Sequence, residues 1–157
     1  MMTKKNDTKH YKQIIVARLD LQMSEGKLAT QASHASMAFL TNAMRKNARR
    51  ADSQTVRVEL NIDYGLWEGW INGIFTKVVL GVKDKADMDR LLRRAEGHGL
   101  VRNRDFFCVY DNCLTELKAE EPDGTCLTCV GFRPMTDEEI DPVTKRVRLY
   151  TGTNPLR

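Results

Sequence analysis

The sequence contains no run of about 18 apolar residues, the length that a membrane-spanning helix would need. The first ten residues, MMTKKNDTKH, are polar and lack the apolar stretch of a secretory signal. These absences predict a cytoplasmic protein with no membrane span and a disordered leader over residues 1–10. Internal repeats and low-complexity segments are also missing, so the 157 residues favour one domain with a single core.

Familiar catalytic motifs are absent as well, since the sequence has no Gly-x-Ser-x-Gly turn, P-loop or dinucleotide glycine motif. There are only four cysteines: Cys108, Cys113, Cys126 and Cys129. Their spacing, Cys-x4-Cys and then Cys-x2-Cys, leaves a zinc site open as an alternative. Both pairs lie in apolar, strand-like runs, which favours buried thiols, so we predict no metal site.

Basic residues are in slight excess, with a net charge of +4 and a sequence pI near 8.9. Such an excess permits an anionic partner without requiring one. The charges are clustered, and any single cluster is ordinarily a solvated helix face. Several clusters in so short a chain favour a polyanion, because each phosphate contact adds affinity through counterion release. The clustered residues are Arg45, Lys46, Arg49, Arg50, Arg57, Arg90, Arg93, Arg94, Arg102 and Arg104.

Hydrophobic spacing predicts strands alternating with helices. Ser24 and Asp84 are good N-cap residues for the two longest helices, and residues 51–73 are the least readable part. We therefore expect one α/β domain over residues 11–150, a three-layer sandwich in which a mixed sheet of about four strands has helices on both faces. A loose tail should follow over residues 151–157. The expected strands are 12–18, 75–82, 105–110 and 125–132, and the expected helices are 24–47 and 84–98, with a short helical turn within 135–141.

Three polar residues share one strip of the first predicted helix. Lys27, Gln31 and His34 lie at i, i+4 and i+7, beside the apolar stripe. A lysine near a helix N-terminus can neutralise the charge of a developing oxyanion, with help from free backbone amides. On spacing alone, an ordinary polar flank explains this strip better.

Further candidate residues follow the later strands. Asp111 comes directly after the third strand, at the carboxyl ends where ligands gather in α/β sheets, and Thr115 follows in the loop. An aspartate there can orient water, act as a base or simply cap a turn. Thr128 lies within the fourth strand, where threonine is usually just a good strand former.

Four segments of the sequence resemble the archaeal and eukaryotic type of peptidyl-tRNA hydrolase. The opening KQIIVARLDLQMSEGKLATQASHASMAF is similar to the family's first strand and helix, and FTKVVLGVKDKADMDRLLRRAEGHGL to its second strand and following helix. YDNCLT resembles its Asp-Ala-Gly-x-Thr turn, and TCVGFRPMTDEEIDPVTKRVRLY its last strand and ending. The resemblance covers residues 11–150 and leaves an insertion over residues 51–73.

This resemblance implies hydrolysis of the ester bond between a peptide, or an N-blocked amino acid, and tRNA, with no metal or organic cofactor. It implies a catalytic set of Lys27, Asp111, Thr115 and Thr128. The residues expected to bind tRNA are Gln31, His34, Arg18, Arg45 and Arg49.

Several departures from the family pattern support a rival hypothesis. The turn after the aspartate reads Asn112-Cys113, and Glu116 stands where glutamine is common. Arg133 replaces a glycine, and the loop from Thr115 to the last strand is longer than usual. The rival is a catalytically silent module of the same fold that binds RNA or a protein, because fold alone does not fix function. Whether the chain forms a homodimer is left open by the sequence.

Overall fold

The computed structural model describes residues 9–151. The predicted leader and tail fall mostly on residues 1–8 and 152–157, outside this described range. The strands are β1 (Tyr11–Arg18), β2 (Ala48–Arg50), β3 (Val56–Val58), β4 (Lys77–Val82), β5 (Phe106–Asp111), β6 (Cys126–Phe132), β7 (Met135–Thr136) and β8 (Arg148–Leu149). The helices are α1 (Glu25–Lys46), α2 (Tyr64–Leu66), α3 (Lys85–Gly97) and α4 (Asp137–Thr144), and α2 continues as a π-helical segment over Trp67–Ile71.

The main sheet is mixed and has the strand order β5-β6-β1-β4-β8, while β7 pairs with the beginning of β1. β1 and β4 are parallel, whereas β6 is antiparallel to both β1 and β5. The α/β class and the mixed sheet agree with the prediction, but the sheet has six strands instead of about four. The two extra strands, β7 and β8, have two residues each, too few to show a period in the sequence.

β1 contributes to hydrophobic clusters on both of its faces, which explains its continuous apolar run. Ile14 and Val16 belong to a cluster that includes residues of α3 and α4. Ile15 and Ala17 belong to a second cluster, which includes residues of α1. Within the described residues, no helix combines the length and apolar character needed to cross a bilayer.

Helix α1 lies unusually close to the sheet. Its N-terminus is capped as predicted, because the side chain of Ser24 accepts a hydrogen bond from the backbone N–H of Lys27. Further along, Ala35 is 1% exposed and packs over Gly131 of β6. A Cβ atom on Gly131 would lie 2.6 Å from the carbonyl carbon of Ala35, so only glycine permits this approach. Ala35 and Gly131 thus set the short distance between α1 and β6.

Within the segment 51–73, Trp70 packs against α1. Trp70 is buried, meets Phe39 edge-to-face at 6.1 Å and donates its indole N–H to the carbonyl of Thr76 at 2.8 Å. We expected both tryptophans to be packing anchors more readily than stacking platforms, and Trp70 fits that expectation. Trp67 is 41% exposed and is a weaker anchor.

Candidate active site

The end of β5 and the first turns of α1 bring three polar side chains together. Nζ of Lys27 donates a hydrogen bond to Oδ2 of Asp111 at 2.8 Å, and Nε2 of Gln31 donates to the same oxygen at 2.9 Å. The other oxygen, Oδ1, accepts from the backbone N–H of Cys113 at 2.8 Å. Asp111 is only 8% exposed, so water competes little for its carboxylate. The three donors therefore hold the carboxylate in one orientation.

Thr128 extends this cluster into the sheet. Its hydroxyl is buried and lies 2.6 Å from Oε1 of Gln31 and 3.2 Å from the carbonyl of Val109. One hydroxyl proton can serve only one acceptor at a time, and the shorter contact is the one to Gln31. The Gln31 amide therefore accepts from Thr128 and donates to Asp111, which links the interior of β6 to the carboxylate.

The Lys27–Asp111 pair stays ionised at neutral pH. The hydrogen bond from Lys27 lowers the pKa of the Asp111 carboxyl, assisted by the backbone N–H of Cys113. Reciprocally, the hydrogen bond to Asp111 raises the pKa of the Lys27 ammonium above its ordinary value. An ammonium has three donors. Among residues 9–151, Asp111 is the one hydrogen-bond partner of Nζ, and the Lys27 side chain is 17% exposed. Lys27 therefore retains N–H groups for a ligand.

Two predicted site residues, His34 and Thr115, are exposed and lie outside the hydrogen-bonded cluster. His34 is exposed on α1, near enough that its charge contributes to lowering the pKa of Asp111. Thr115 is exposed in the loop after β5, and in the described part of the chain its side chain makes no hydrogen bond to the cluster. The structure thus brings together Lys27, Gln31, Asp111 and Thr128, with His34 near Asp111, and does not bring the Thr115 side chain into their hydrogen bonds.

The structure contradicts the prediction that Arg18 contacts tRNA. Its side chain is 1% exposed, and its guanidinium donates to Asp20, to Glu120 and to the carbonyl of Leu127. Five hydrogen bonds use all five of its N–H groups, at 2.5–3.1 Å. Arg18 therefore joins β1 to the loop between β5 and β6 and has no donor left for RNA.

Arg45 and Arg49 are exposed, but they lie outside the cluster. Arg45 is in the last turn of α1, and Arg49 is in β2. Along the helix, Arg45 is about 27 Å from Lys27, at about 1.5 Å per residue. These arginines are therefore remote from the Lys27–Asp111 pair.

Glu116, which has no predicted role, contacts the residue that caps α1. Its Oε1 accepts from the backbone N–H of Ser24 at 3.0 Å and lies 3.2 Å from the Ser24 hydroxyl. A carboxylate at a helix N-terminus is favoured by the helix dipole. Glu116 also contributes to the raised pKa of Lys27. The sequence feature that could have indicated this role is the acidic side chain of Glu116, at a position where the resemblance led us to expect glutamine.

The four cysteines do not converge. Cys108 packs with the cluster on the α3 side of the sheet, whereas Cys113 and Cys129 belong to the cluster on the α1 side. Burial raises the pKa of Cys126 to about 11 and that of Cys129 to about 12, so both thiols are protonated at neutral pH. Over residues 9–151, no group of three or more His, Cys, Asp or Glu side chains is placed to hold a metal ion. The zinc alternative therefore has no geometric support.

Solved structures offer a likeness of fold. A protein of unknown function from Agrobacterium tumefaciens strain C58 superposes with a TM-score of 0.51 at 12% identity. The match covers 90% of this chain and 98% of that one. At this identity the likeness extends to the fold alone.

Sequence comparisons are more specific. The family model for peptidyl-tRNA hydrolase PTH2 matches residues 11–150. The peptidyl-tRNA hydrolase of Methanopyrus kandleri is 42% identical over 85% of this chain and 93% of its own length. Those of Haloquadratum walsbyi and Methanococcus maripaludis strain C6 are each 34% identical over 88% of this chain and 99% and 98% of their own lengths. The chain belongs to the peptidyl-tRNA hydrolase PTH2 family.

Proposed function

We propose that this protein hydrolyses the ester bond joining a peptide, or an N-blocked amino acid, to the 3′ end of tRNA. Family membership supports this reaction. The observation that carries the chemistry is the Lys27 ammonium, held 2.8 Å from Asp111 with donors to spare. The products are a peptide with a free carboxyl group and a tRNA with a free 3′ hydroxyl. We also infer that the helices form layers on both faces of the sheet, as the two clusters flanking β1 suggest.

Lys27 is the residue we assign to charge stabilisation. When water attacks the ester carbonyl carbon, negative charge develops on the carbonyl oxygen. An ammonium near a helix N-terminus, in a partly buried site, stabilises that charge without having to reorient. Removing one such donor typically lowers kcat by about 10²–10³-fold.

Asp111 is assigned a positioning role. A carboxylate whose pKa is lowered is a weak base at neutral pH, so abstracting a proton from water is not its best function. It fixes Lys27 and Gln31 by accepting from both at Oδ2, and Oδ1 retains a lone pair that can orient the attacking water. Thr128 supports this arrangement through Gln31, and the exposed Thr115 is assigned to positioning the substrate.

The rival function, a silent RNA- or protein-binding module, is not favoured. Its main support was the set of altered residues at the mouth, namely Asn112, Cys113, Glu116 and Arg133. The backbone N–H of Cys113 donates to Asp111, and Glu116 contacts the start of α1, so these two changes are accommodated without disrupting the charged pair. Arg133 pairs instead with Asp105 and Glu139.

The proposal is tested by incubating the protein with N-acetylaminoacyl-tRNA and, separately, with free aminoacyl-tRNA. We expect turnover of the blocked ester by the wild type and its loss in Lys27→Ala and Asp111→Ala. Turnover that survives both substitutions contradicts the site. Tight binding of tRNA by the wild type without turnover would support the silent module. We further propose that the protein acts in the cytoplasm, where translation supplies its substrate, and keep a homodimer as a hypothesis for sedimentation analysis.

A further inference from the structure

Strands β2 and β3 form a separate hairpin that is rich in arginine. Arg49 and Arg57 are directly opposite each other across its two strands, and Arg50 is opposite Val56. All three arginines are exposed. Like charges directly opposite on a hairpin repel each other, so this pairing destabilises the free hairpin unless an anion lies between the two side chains.

Acidic side chains of the protein do not supply that anion. Within residues 9–151, none of the three hairpin arginines makes a salt bridge, and Arg50 donates its Nε–H to the backbone carbonyl of Asp52. The hairpin borders a groove of about 500 Å³ in which Glu59 is the one acidic lining residue. A guanidinium fork matches the oxygens of a phosphate, which makes phosphate the suitable anion for this groove.

The hairpin is firmly attached to the helix that carries Lys27. Only Asn47 separates α1 from β2. The backbone N–H of Asn47 donates to the carbonyls of Ala43 and Met44, and its side chain donates to Ala43 at 2.8 Å. The start of the hairpin therefore lies one helix length from Lys27, about 30 Å for a helix of 22 residues.

We propose that this arginine hairpin binds phosphates of the acceptor duplex of the tRNA whose 3′ ester lies at Lys27. This inference rests on the proposed function. The hairpin lies about 30 Å from the ester, so we expect it to contact a full tRNA but not a short fragment from the 3′ end. Double-stranded RNA is recognised largely through its backbone and shape, which exposed arginines suit better than a base-reading pocket would.

The test compares two substrates and two variants. The substrates are N-acetylaminoacyl-tRNA and the N-acetylaminoacyl ester of a CCA trinucleotide. Arg49→Gln/Arg57→Gln removes the opposed pair. Arg146→Gln/Arg148→Gln is the matched control, because it removes the same charge from exposed positions near β8, on the sheet edge away from β5. Thermal unfolding confirms that both variants are folded.

We expect the hairpin variant to lose about tenfold in kcat/KM on tRNA at low salt and nothing on the trinucleotide ester. For this variant, the slope of log kcat/KM against log salt concentration should be smaller in magnitude by about two. The control should match the wild type on both substrates. Equal activity of the hairpin variant and wild type on tRNA overturns the inference, as does an equal loss on both substrates or by the control.

Failure of the proposed function gives a different result. If the wild type cleaves neither ester, filter binding of uncharged tRNA still tests the hairpin. Weaker binding by the hairpin variant alone would support it, and equal binding by all three proteins would overturn it.

Discussion

Gly131→Ala should disrupt the active site without touching any of its side chains. Gly131 lies on β6 beneath Ala35 of α1, and both residues are far from solvent. The added Cβ would lie 2.6 Å from the carbonyl carbon of Ala35 and closer still to its oxygen. Both of these atoms belong to helix backbone, so no side-chain rotation can relieve the clash.

The size of the effect follows from these distances. Carbon atoms pack best at about 3.5–4.0 Å, so α1 must move away from β6 by roughly 1 Å. The Lys27–Asp111 contact, now 2.8 Å, would then exceed the hydrogen-bonding range. Overpacking of this kind costs about 1–3 kcal/mol, and we expect the upper end because backbone lies on both sides. A displacement of about 1 Å in a catalytic group lowers the rate by about 10²-fold.

Gly97→Ala is the matched control. It makes the same change in the unfolded chain, but a Cβ on Gly97 at the end of α3 would meet nothing within 4 Å. In thermal unfolding, the Tm of Gly131→Ala should be about 6–12 °C below that of the wild type. The Tm of Gly97→Ala should be unchanged or slightly higher. In steady-state assays on N-acetylaminoacyl-tRNA, the kcat of Gly131→Ala should be about 10²-fold below that of the wild type. The kcat of Gly97→Ala should be unchanged. A Gly131→Ala variant that unfolds within 2 °C of the wild type and keeps at least half of its kcat would show that Gly131 does not set the position of α1.

Two further results are expected. First, kcat/KM should be flat between about pH 5 and pH 9. The pKa of Asp111 is lowered, so its carboxylate becomes protonated only below pH 3.8, the ordinary value. The pKa of Lys27 is raised, so its ammonium loses a proton only above pH 10.5. Second, Arg18→Met should lower the free energy of unfolding in urea by about 3 kcal/mol. Removing one partner of a buried ion pair costs about 3–5 kcal/mol, and the lower end applies because the two carboxylate partners are 36% and 32% exposed.

These two expectations have clear contrary outcomes. An inflection of kcat/KM near neutral pH would implicate a group other than Asp111 and Lys27 in the rate-limiting chemistry. A loss below about 1 kcal/mol in Arg18→Met would mean that the buried guanidinium is not what holds the loop between β5 and β6. Glu120→Gln is the control for the second measurement. It removes one charge from a partner that is 32% exposed and should destabilise the protein less than Arg18→Met does.

Local rules predicted the longest elements well. Ser24 and Asp84 are the N-caps of α1 and α3, and the apolar stripe with Ala35 faces the sheet. These signals depend on residues within one or two helical turns, so a single sequence contains them. The short strands β7 and β8 and the hairpin β2–β3 depend on pairing partners, and their sequences alone do not reveal them.

The site shows where such rules stop. Lys27 and Asp111 are 84 residues apart, and spacing alone favoured an ordinary polar flank for the helix strip that carries Lys27. The resemblance to a family, not periodicity, pointed to their meeting. Arg18 shows the opposite failure. It was expected to bind tRNA, yet Glu120, 102 residues later, makes its burial possible. Burial of a charge depends on partners that only the folded chain brings together.

We propose above all that the Lys27 ammonium stabilises the transition state of ester hydrolysis. The most direct measurement is the single-turnover rate of N-acetylaminoacyl-tRNA cleavage by Lys27→Ala, with enzyme in saturating excess, beside its tRNA dissociation constant. We predict a rate about 10²–10³-fold below that of the wild type, with binding changed by less than about threefold. A rate within tenfold of the wild type, or a loss confined to binding, would contradict the claim.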